Sequence, residues 1–219
     1  MAPVGRQRKA ASGKTRIQTI NEARILDAAK RVFAEHGFRG ATVDEIAQRA
    51  EMSKPNLLYY FKSKKALYRA VLERTLDVWL EPLRALDAAG DPETELRRYI
   101  ASKIEASRQD PEASRVFASE MLRGAPLLMD HLRGDLRHLV ERKVAVIEQW
   151  IEEGRLAPVD PIHLIFMIWA TTQHYADFAV QVKAVWGKGT LQTKEFERIE
   201  EAISVIILGG ILPRKSESG

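Results

Sequence analysis

Hydrophobic residues recur with the spacing of α-helices along most of the chain. From Asn21 onward, Ile25, Ala29 and Val32 follow one another at intervals of three or four residues, which predicts a helix that Gly37 ends. No stretch of four to eight residues between turn signals alternates in the manner of a β-strand, and no internal repeat is visible. The pattern therefore predicts an all-α fold of about nine helices.

Two short helices are predicted directly after the first one. Thr42 begins a capping box, in which its hydroxyl accepts the Glu45 amide and the Glu45 carboxylate reaches back, so a helix is expected over 43–50. Ser53 offers a second N-cap, and the helix that follows ends near Phe61. Two capped helices joined by a tight turn are typical of a helix-turn-helix.

The remaining helices are longer, and several of them begin at an Asp-Pro pair. Pro is tolerated in the first turn of a helix because its missing N–H would have no partner there. Ser63 caps another helix, which Pro82 bends or weakens. We expect these helices over residues 64–89, 92–108, 111–123, 127–153, 161–186 and 194–209.

Charge is divided unevenly along the chain. Residues 1–70 hold 15 Lys and Arg against 6 Asp and Glu, whereas residues 71–219 hold 19 against 24. A basic region that contains a helix-turn-helix favours DNA as its partner. Segment 1–18 has no apolar period, so we interpret it as a basic flexible arm, which either reaches DNA or only helps to keep the chain in solution.

The helix-turn-helix geometry suggests a role for each polar side chain around it. The amino end of the second helix enters the major groove, where Asn56 is placed to pair with an adenine edge. Hydroxyl and amine groups nearby are placed to contact phosphates, and one of the two adjacent tyrosines is expected to be a half-buried structural residue. The candidate DNA-binding residues are Thr42, Ser53, Lys54, Pro55, Asn56, Tyr59, Tyr60 and Lys64.

Three runs around this motif are Gly37-Phe38, Thr42-Val43-Asp44-Glu45-Ile46-Ala47 and Ser53-Lys54-Pro55-Asn56-Leu57-Leu58-Tyr59-Tyr60-Phe61-Lys62-Ser63-Lys64. Together they resemble the TetR family of one-component repressors. The resemblance implies a homodimer that binds a double-stranded DNA operator. It also implies three regions: the arm over 1–18, a DNA-binding domain over 19–63, and an effector-binding and dimerisation domain over 64–213.

The motif departs from the family pattern at three positions. Glu51 lies in the turn where the family usually has Gly, so either its φ is not positive or it carries a strain of about 1 to 2 kcal/mol. Pro55 stands where Gly or Thr is common, and Leu58 where Tyr is frequent. The base preference is therefore expected to differ from that of relatives.

A closer resemblance extends into the second half of the chain. The run Gly124-Ala125-Pro126-Leu127-Leu128-Met129, together with residues 163–170 and 173–179, is similar to pyrimidine-responsive members of this family that regulate pyrimidine catabolism. This resemblance implies that the small-molecule effector is uracil or thymine. No resident cofactor and no structural or catalytic metal are expected.

Four residues are candidates for the effector pocket. Trp169, Gln173 and Asp177 share one face of the predicted helix over 161–186. A Trp above a Gln suits a planar heterocycle, because the indole stacks and the amide offers a donor beside an acceptor. Trp79 either closes the same pocket or is plain core, and Asp177 needs a partner because a buried unpaired carboxylate is costly.

Dimerisation is assigned to the last two long helices. Phe196, Ile199, Ile203 and Ile206 recur on the helix over 194–209, and the face of the preceding helix opposite the pocket carries Ile168, Tyr175 and Ala179. Four helices, two from each chain, are expected to form the interface. Packing of these faces within one chain would instead give a monomer.

Composition excludes several other classes of protein. The chain has no cysteine, which rules out disulfides, thiol nucleophiles and cysteine-ligated metal sites. It lacks both the apolar segment of a secretory signal and a run long enough to span a membrane, so we expect a cytoplasmic protein with no membrane contact.

Two rival interpretations remain open. Common catalytic motifs are missing, so an enzyme is not expected, although His131, Asp135 and His138 share a helical face at a spacing that can hold a metal. A solvated stripe is the plainer explanation for these three residues. The other alternative is a TetR-type repressor that senses a different, more hydrophobic small molecule.

Overall fold

The computed structural model describes residues 16–213, and every regular element in that range is helical. The all-α prediction is confirmed. In chain order the helices are α1 Arg16–Gly40, α2 Val43–Arg49, α3 Lys54–Tyr60, α4 Lys64–Arg84, α5 Pro92–Gln109, α6 Pro111–Leu122, α7 Met129–His131, α8 Arg137–Glu152, α9 Pro161–Asp177, α10 Ala179–Trp186 and α11 Thr193–Ile211. A π-helical turn over Leu132–Leu136 connects α7 to α8.

Helices α1 to α3 form the N-terminal head. Thr42 and Ser53 cap α2 and α3 as expected, each accepting a backbone N–H in the first turn of its helix. The small core of the head is made by Ile25, Ile46 and Leu57, all fully buried. The predicted capping box is only half formed, because the Glu45 carboxylate accepts from Arg49 and contacts His36 instead of turning back to the cap.

Several predicted boundaries differ from the structure. The helix predicted over 64–89 ends at Arg84, and Gly37, predicted to end the first helix, has a φ of 64° and kinks α1, which continues to Gly40. Helix α1 begins at Arg16, so the end of the predicted arm over 1–18 is helical, and residues 1–15 lie outside the described part. The helix predicted over 127–153 is α7, the π-helical turn and α8. The helix predicted over 161–186 breaks at Phe178 into α9 and α10, although no Gly or Pro marks that position.

The body is built around α5, which packs against α4, α9 and α11. Helix α4 belongs to both parts of the molecule, since it packs on α1 of the head and also on α5, α6 and α8. Helix α6 also contacts the head through α1. Buried side chains from Ile25 in the head to Ile211 in the body form one continuous hydrophobic cluster.

The apolar surface predicted for dimerisation is partly used inside the chain. Ile168, Ile199 and Ile203 are buried in the core, because these faces of α9 and α11 pack on α5. Ile206 is 74% exposed, and other large apolar side chains that remain exposed on α9 to α11 are Ile162, Phe166, Met167, Val180, Val185 and Val205. In residues 16–213 there is no helix long and apolar enough to span a bilayer.

The turn between α2 and α3 resolves the question of Glu51. Its φ is 53°, and the Met52 and Glu51 amides donate to the Ala47 and Gln48 carbonyls in a Schellman motif. This motif needs a left-handed residue after the helix, a conformation that costs a residue other than Gly about 1 to 2 kcal/mol. Glu51 therefore carries strain that a Gly would not.

We expect Glu51→Gly to stabilise the head. Relief of about 1 to 2 kcal/mol of strain exceeds the roughly 0.5 to 1 kcal/mol that Gly loses in conformational entropy. The net gain is on the order of 0.5 kcal/mol in the free energy of unfolding, measured by urea denaturation. Glu51→Ala is the matched control, because it removes the charge but keeps the strain. A Gly variant less stable than the Ala variant would contradict this account.

Candidate DNA interface and effector site

The helix-turn-helix presents most of its predicted DNA-binding residues to solvent. The exposed members are Thr42, Ser53, Lys54, Pro55, Asn56 and Tyr59, whereas Tyr60 and Lys64 are partly buried. Thr42 and Ser53 accept N–H groups of their own helices, which leaves each hydroxyl hydrogen free to donate to a phosphate. Asn56 makes no side-chain hydrogen bond with any described residue, so its amide is available to a base edge.

Two of the candidate residues make contacts within the head. The Lys54 ammonium lies 2.8 Å from Asp44 Oδ2, an exposed ion pair that joins α3 to α2. The Tyr60 hydroxyl accepts from Asn21 Nδ2 at 2.9 Å and so ties α3 to α1. Tyr59 is 63% exposed. The structural tyrosine expected from the sequence is therefore Tyr60, and Tyr59 is the better placed of the two to contact DNA.

Lys64 has a structural role that sequence reasoning missed. Its ammonium donates to the Ala41 carbonyl at 2.8 Å and lies 4.9 Å from the centroid of the Phe38 ring. It therefore closes the end of α1, where carbonyl groups lack helical partners. Contact with a phosphate remains a prediction for this residue. Lys62, which lies 5.5 Å from the Tyr59 ring, is an exposed cation at the same surface that the sequence analysis did not select.

The three candidates on α9 lie one helical turn apart and contact α5 and α6. Trp169 Nε1 donates to the Tyr99 hydroxyl at 2.5 Å. Asp177 accepts from the Ser114 hydroxyl, which supplies the partner that a half-buried carboxylate needs. Burial raises the pKa of Asp177, and the bond from Ser114 opposes that shift. Gln173 makes no side-chain hydrogen bond within residues 16–213.

Trp79 reaches the same region from α4. Its ring packs edge-on against Phe117, with 5.4 Å between centroids, and the Lys103 ammonium lies 4.8 Å from its centroid. Trp79 also lines a cavity of about 160 Å³ with Thr75, Ala106 and other residues of α1 and α4 to α6. A cavity of roughly 150 Å³ is large enough to hold a six-membered ring.

The two predicted tryptophans line different cavities. Trp169 lines a cavity between α8 and α9, with Phe166 and Leu136 among its neighbours, while Trp79 lines the one described above. They are connected through α5, since Tyr99 bonds Trp169 and Lys103 lies over Trp79. The four candidates therefore lie on the same side of α5, but they do not line one common cavity.

Lys103 is the residue of this region that sequence reasoning missed. It is only 4% exposed, and it makes no hydrogen bond and no ion pair within 4.0 Å to any residue of 16–213. Desolvation lowers the pKa of Lys103 to about 8, and the charge of Asp177 opposes that shift. The sequence does indicate that this lysine is buried. Lys103 lies on α5 between Ile100 and Ile104, which are both buried, at a position where a side chain of the core is expected.

In the described part of the chain, the candidate metal ligands His131, Asp135 and His138 do not form a group whose ligand atoms lie close together. His131 Nδ1 lies 3.4 Å from Asp135 Oδ2, and both line a cavity of about 190 Å³ with His138 and two arginines. Across residues 16–213, the ligand atoms that lie within 4.8 Å of one another belong instead to Glu35, His36 and Glu45. Arg49 pairs with both of those carboxylates.

Family models match both parts of the chain. Residues 25–71 match the tetR family of bacterial regulatory proteins, and residues 72–214 match the C-terminal region of YcdC-like proteins. The boundary between the two matches falls inside α4.

Individual relatives are also similar over long ranges. The transcriptional regulator RutR of Escherichia coli strain K12 is 50% identical over 206 residues, which covers 94% of this chain and 97% of that protein. The transcriptional repressor NicS of Pseudomonas putida is 33% identical over 60% of this chain and 61% of its own. The ketosteroid regulator KstR2 of Mycobacterium tuberculosis has the same fold, with a TM-score of 0.68 at 24% identity over 94% of this chain and 100% of that one.

An exposed helix-turn-helix on a helical body defines a DNA-binding transcription regulator. The chain belongs to the TetR family, and within that family it is closely related to RutR.

Asn56→Ala tests the assignment of base contacts. We expect a loss of roughly 1 to 3 kcal/mol in DNA binding that is confined to one base position, because a bidentate amide contact discriminates between bases. Binding to a panel of single-base operator variants measures this. The melting temperature should not change, since the Asn56 side chain makes no hydrogen bond within the described residues.

Lys64→Met is the contrasting variant. It should weaken binding to all sequences alike and also lower stability, because the Ala41 carbonyl loses its partner. A uniform effect of Asn56→Ala across the panel would contradict its assignment as a base contact.

The buried Lys103 predicts an unusual dependence of stability on pH. Between about pH 8 and pH 10.5 the folded lysine is neutral while the unfolded one is still protonated, so the free energy of unfolding rises with pH. Relative to Lys103→Met, the wild type should gain about 1 kcal/mol between pH 7 and pH 9 in urea titrations. Parallel pH profiles for the two proteins would contradict the burial of a charged lysine.

Proposed function

We propose that this regulator is a repressor of pyrimidine utilisation that uracil or thymine releases from its operator. The observation that carries the proposal is the group formed by Trp79, Trp169, Gln173 and Asp177 around α5. An indole supplies a stacking surface and the free amide of Gln173 supplies a donor and an acceptor, which is the chemistry that a small planar imide requires. The resemblance of residues 124–129, 163–170 and 173–179 to pyrimidine-responsive members of the family supports the same effector class.

Release requires a mechanical link between the effector site and the DNA-binding head. Helix α4 carries both Lys64 and Trp79, which are fifteen residues apart and therefore separated by about 22 Å along one rigid helix. Effector binding tilts α4 and moves the head. In a dimer, this displaces the two reading helices from the ~34 Å spacing of successive major grooves.

Helix α6 provides a second link. Near its start Ser114 bonds Asp177 of α9, and its N-cap Asp110 forms an ion pair of 2.5 Å with Lys30 of α1. A change at Asp177 therefore acts on a helix that contacts the head directly. Effector binding therefore moves the head through α4 and α6 together.

The repressor acts as a homodimer. One α3 helix of seven residues offers too little surface for a specific operator, whereas two-fold symmetry doubles the contact. The exposed apolar side chains of α9 to α11 supply the surface for this association, with Val205 and Ile206 of α11 among the most prominent.

One observation supports the alternative effector. A larger cavity of about 580 Å³ lies between α4 and α5 and is lined by Val78, Pro82 and Tyr99. This volume suits a more hydrophobic molecule than a pyrimidine. A screen by melting temperature separates the two, because the ligand that binds the folded state raises the melting temperature.

Uracil and thymine should weaken operator binding about 5- to 150-fold at saturation, corresponding to a coupling free energy of roughly 1 to 3 kcal/mol. Fluorescence anisotropy with an operator selected from random duplexes measures this, and the stoichiometry of the same titration should be two chains per duplex. Gln173→Leu serves as the matched control, since it should keep DNA binding and lose the response. Operator affinity that is unchanged at saturating pyrimidine would overturn the proposal.

A further inference from the structure

A second cavity of the body is lined mainly by basic side chains. It has a volume of about 190 Å³ and lies between the end of α4, the π-helical turn and the first half of α8. Four of its lining residues are Arg84, His131, His138 and Arg142, and Asp135 is the acidic residue among the described walls. None of these residues belongs to the candidate DNA interface or to the group around α5.

The guanidinium and imidazole groups of this cavity are largely unused by the fold. Arg142 and His138 make no side-chain hydrogen bond or ion pair with any residue of 16–213. Arg84 donates to the Asp77 carbonyl at 3.1 Å, and its ion pairs with Asp77 and Glu81 are long, at 3.4 and 3.5 Å. Exposed pairs at such distances contribute little. Most donors of the two guanidinium groups are therefore available to a further acceptor.

His131 also has unused hydrogen-bonding capacity, in a less exposed position. Its Nδ1 lies 3.4 Å from Asp135 Oδ2, and its Nε2 is buried without a hydrogen-bond partner in the described part of the chain. Buried polar atoms are normally paired, so this nitrogen requires an explanation. When the ring is protonated, Nε2 is a donor that an acceptor from outside the chain would satisfy.

The backbone beside the cavity is unusual as well. The π-helical turn Leu132–Leu136 begins directly after His131, contains Asp135 and ends just before α8. Such turns are rare, and they are found frequently at functional sites. This backbone feature is independent of the charge of the side chains, and it marks the same cavity as a site.

The two arginines decide between a cation and an anion as the ligand. His131, Asp135 and His138 are residue types that bind metals, but Arg84 and Arg142 stay charged and would repel a metal ion in the same cavity. A phosphate dianion suits the whole set, because guanidinium groups bind its oxygens bidentately and imidazolium groups donate to the others. The volume exceeds the roughly 150 Å³ that holds a six-membered ring, so a small ester group also fits.

We propose that this cavity binds a phosphate dianion, with Arg84 and Arg142 holding its oxygens and His131 and His138 donating hydrogen bonds to it. Inorganic phosphate and a small phosphate monoester present the same oxygens, so both belong to this ligand class. Operator DNA is not the source of the phosphate. Arg84 is twenty residues from Lys64 on α4, which places the cavity about 30 Å along the helix from the DNA-binding head.

Arg142→Gln tests the site, because it removes a guanidinium group that has no partner within residues 16–213. The melting temperature in a buffer without phosphate should not change. The affinity for inorganic phosphate, measured by calorimetry at one site per chain, should fall about tenfold to a hundredfold. Arg133→Gln is the matched control, since it removes the same charge from an exposed arginine of the π-helical turn that does not line the cavity. It should bind phosphate as the wild type does.

Further ligands separate the sources and the rival class. If glycerol 3-phosphate binds the wild type more tightly than inorganic phosphate, the natural ligand is a monoester, and the reverse order indicates the free ion. Equal loss of phosphate affinity in Arg142→Gln and Arg133→Gln would overturn the proposal, because it would show diffuse attraction to a basic surface. A wild type that binds neither ligand would also overturn it, as would zinc binding that His138→Gln abolishes in a protein that ignores phosphate.

Discussion

The continuous hydrophobic cluster that joins head and body is the constraint on which the rest of the structure depends. Helices α2 and α3 have only seven residues each, too few to be stable in isolation, so their positions are set by the surfaces they pack against. Helix α2 packs on α1 and on α3, and α1 packs in turn on α4 and α6, so that buried side chains continue from the head into the body. The DNA-reading surface is therefore joined to the body by a continuous hydrophobic core.

Because head and body share one hydrophobic cluster, polar contacts in the body matter for the DNA-binding surface of the head. The ion pair of Lys30 with Asp110 and the bond of Ser114 to Asp177 place α6 between the head and α9. Burial of Lys103 adds a desolvation cost to the fold, which lowers the pKa of its ammonium to about 8. Differential stabilisation of one arrangement by a ligand is what allosteric control requires, because a ligand with equal affinity for both arrangements shifts nothing.

The sequence predicted those features that depend on local chemistry. Caps such as Thr42 and Ser53 are recognised by a side chain and its own backbone, so α2 and α3 began where expected. The break at Phe178 has no Gly or Pro and was missed. Periodicity also identifies an apolar face without stating what covers it, so Ile199 and Ile203 were assigned to a dimer although they pack on α5. The bond between Tyr99 and Trp169 joins residues seventy positions apart, which no local pattern reveals.

The most direct test of the account is reciprocity between the two ligands. Thermodynamic linkage requires that the factor by which uracil weakens operator binding equals the factor by which the operator weakens uracil binding. Calorimetric titration of uracil into the free protein and into its saturated operator complex measures the second factor. The account predicts weaker uracil binding to the complex, by about 5- to 150-fold. Identical uracil affinities with and without operator would contradict the coupling of body and head.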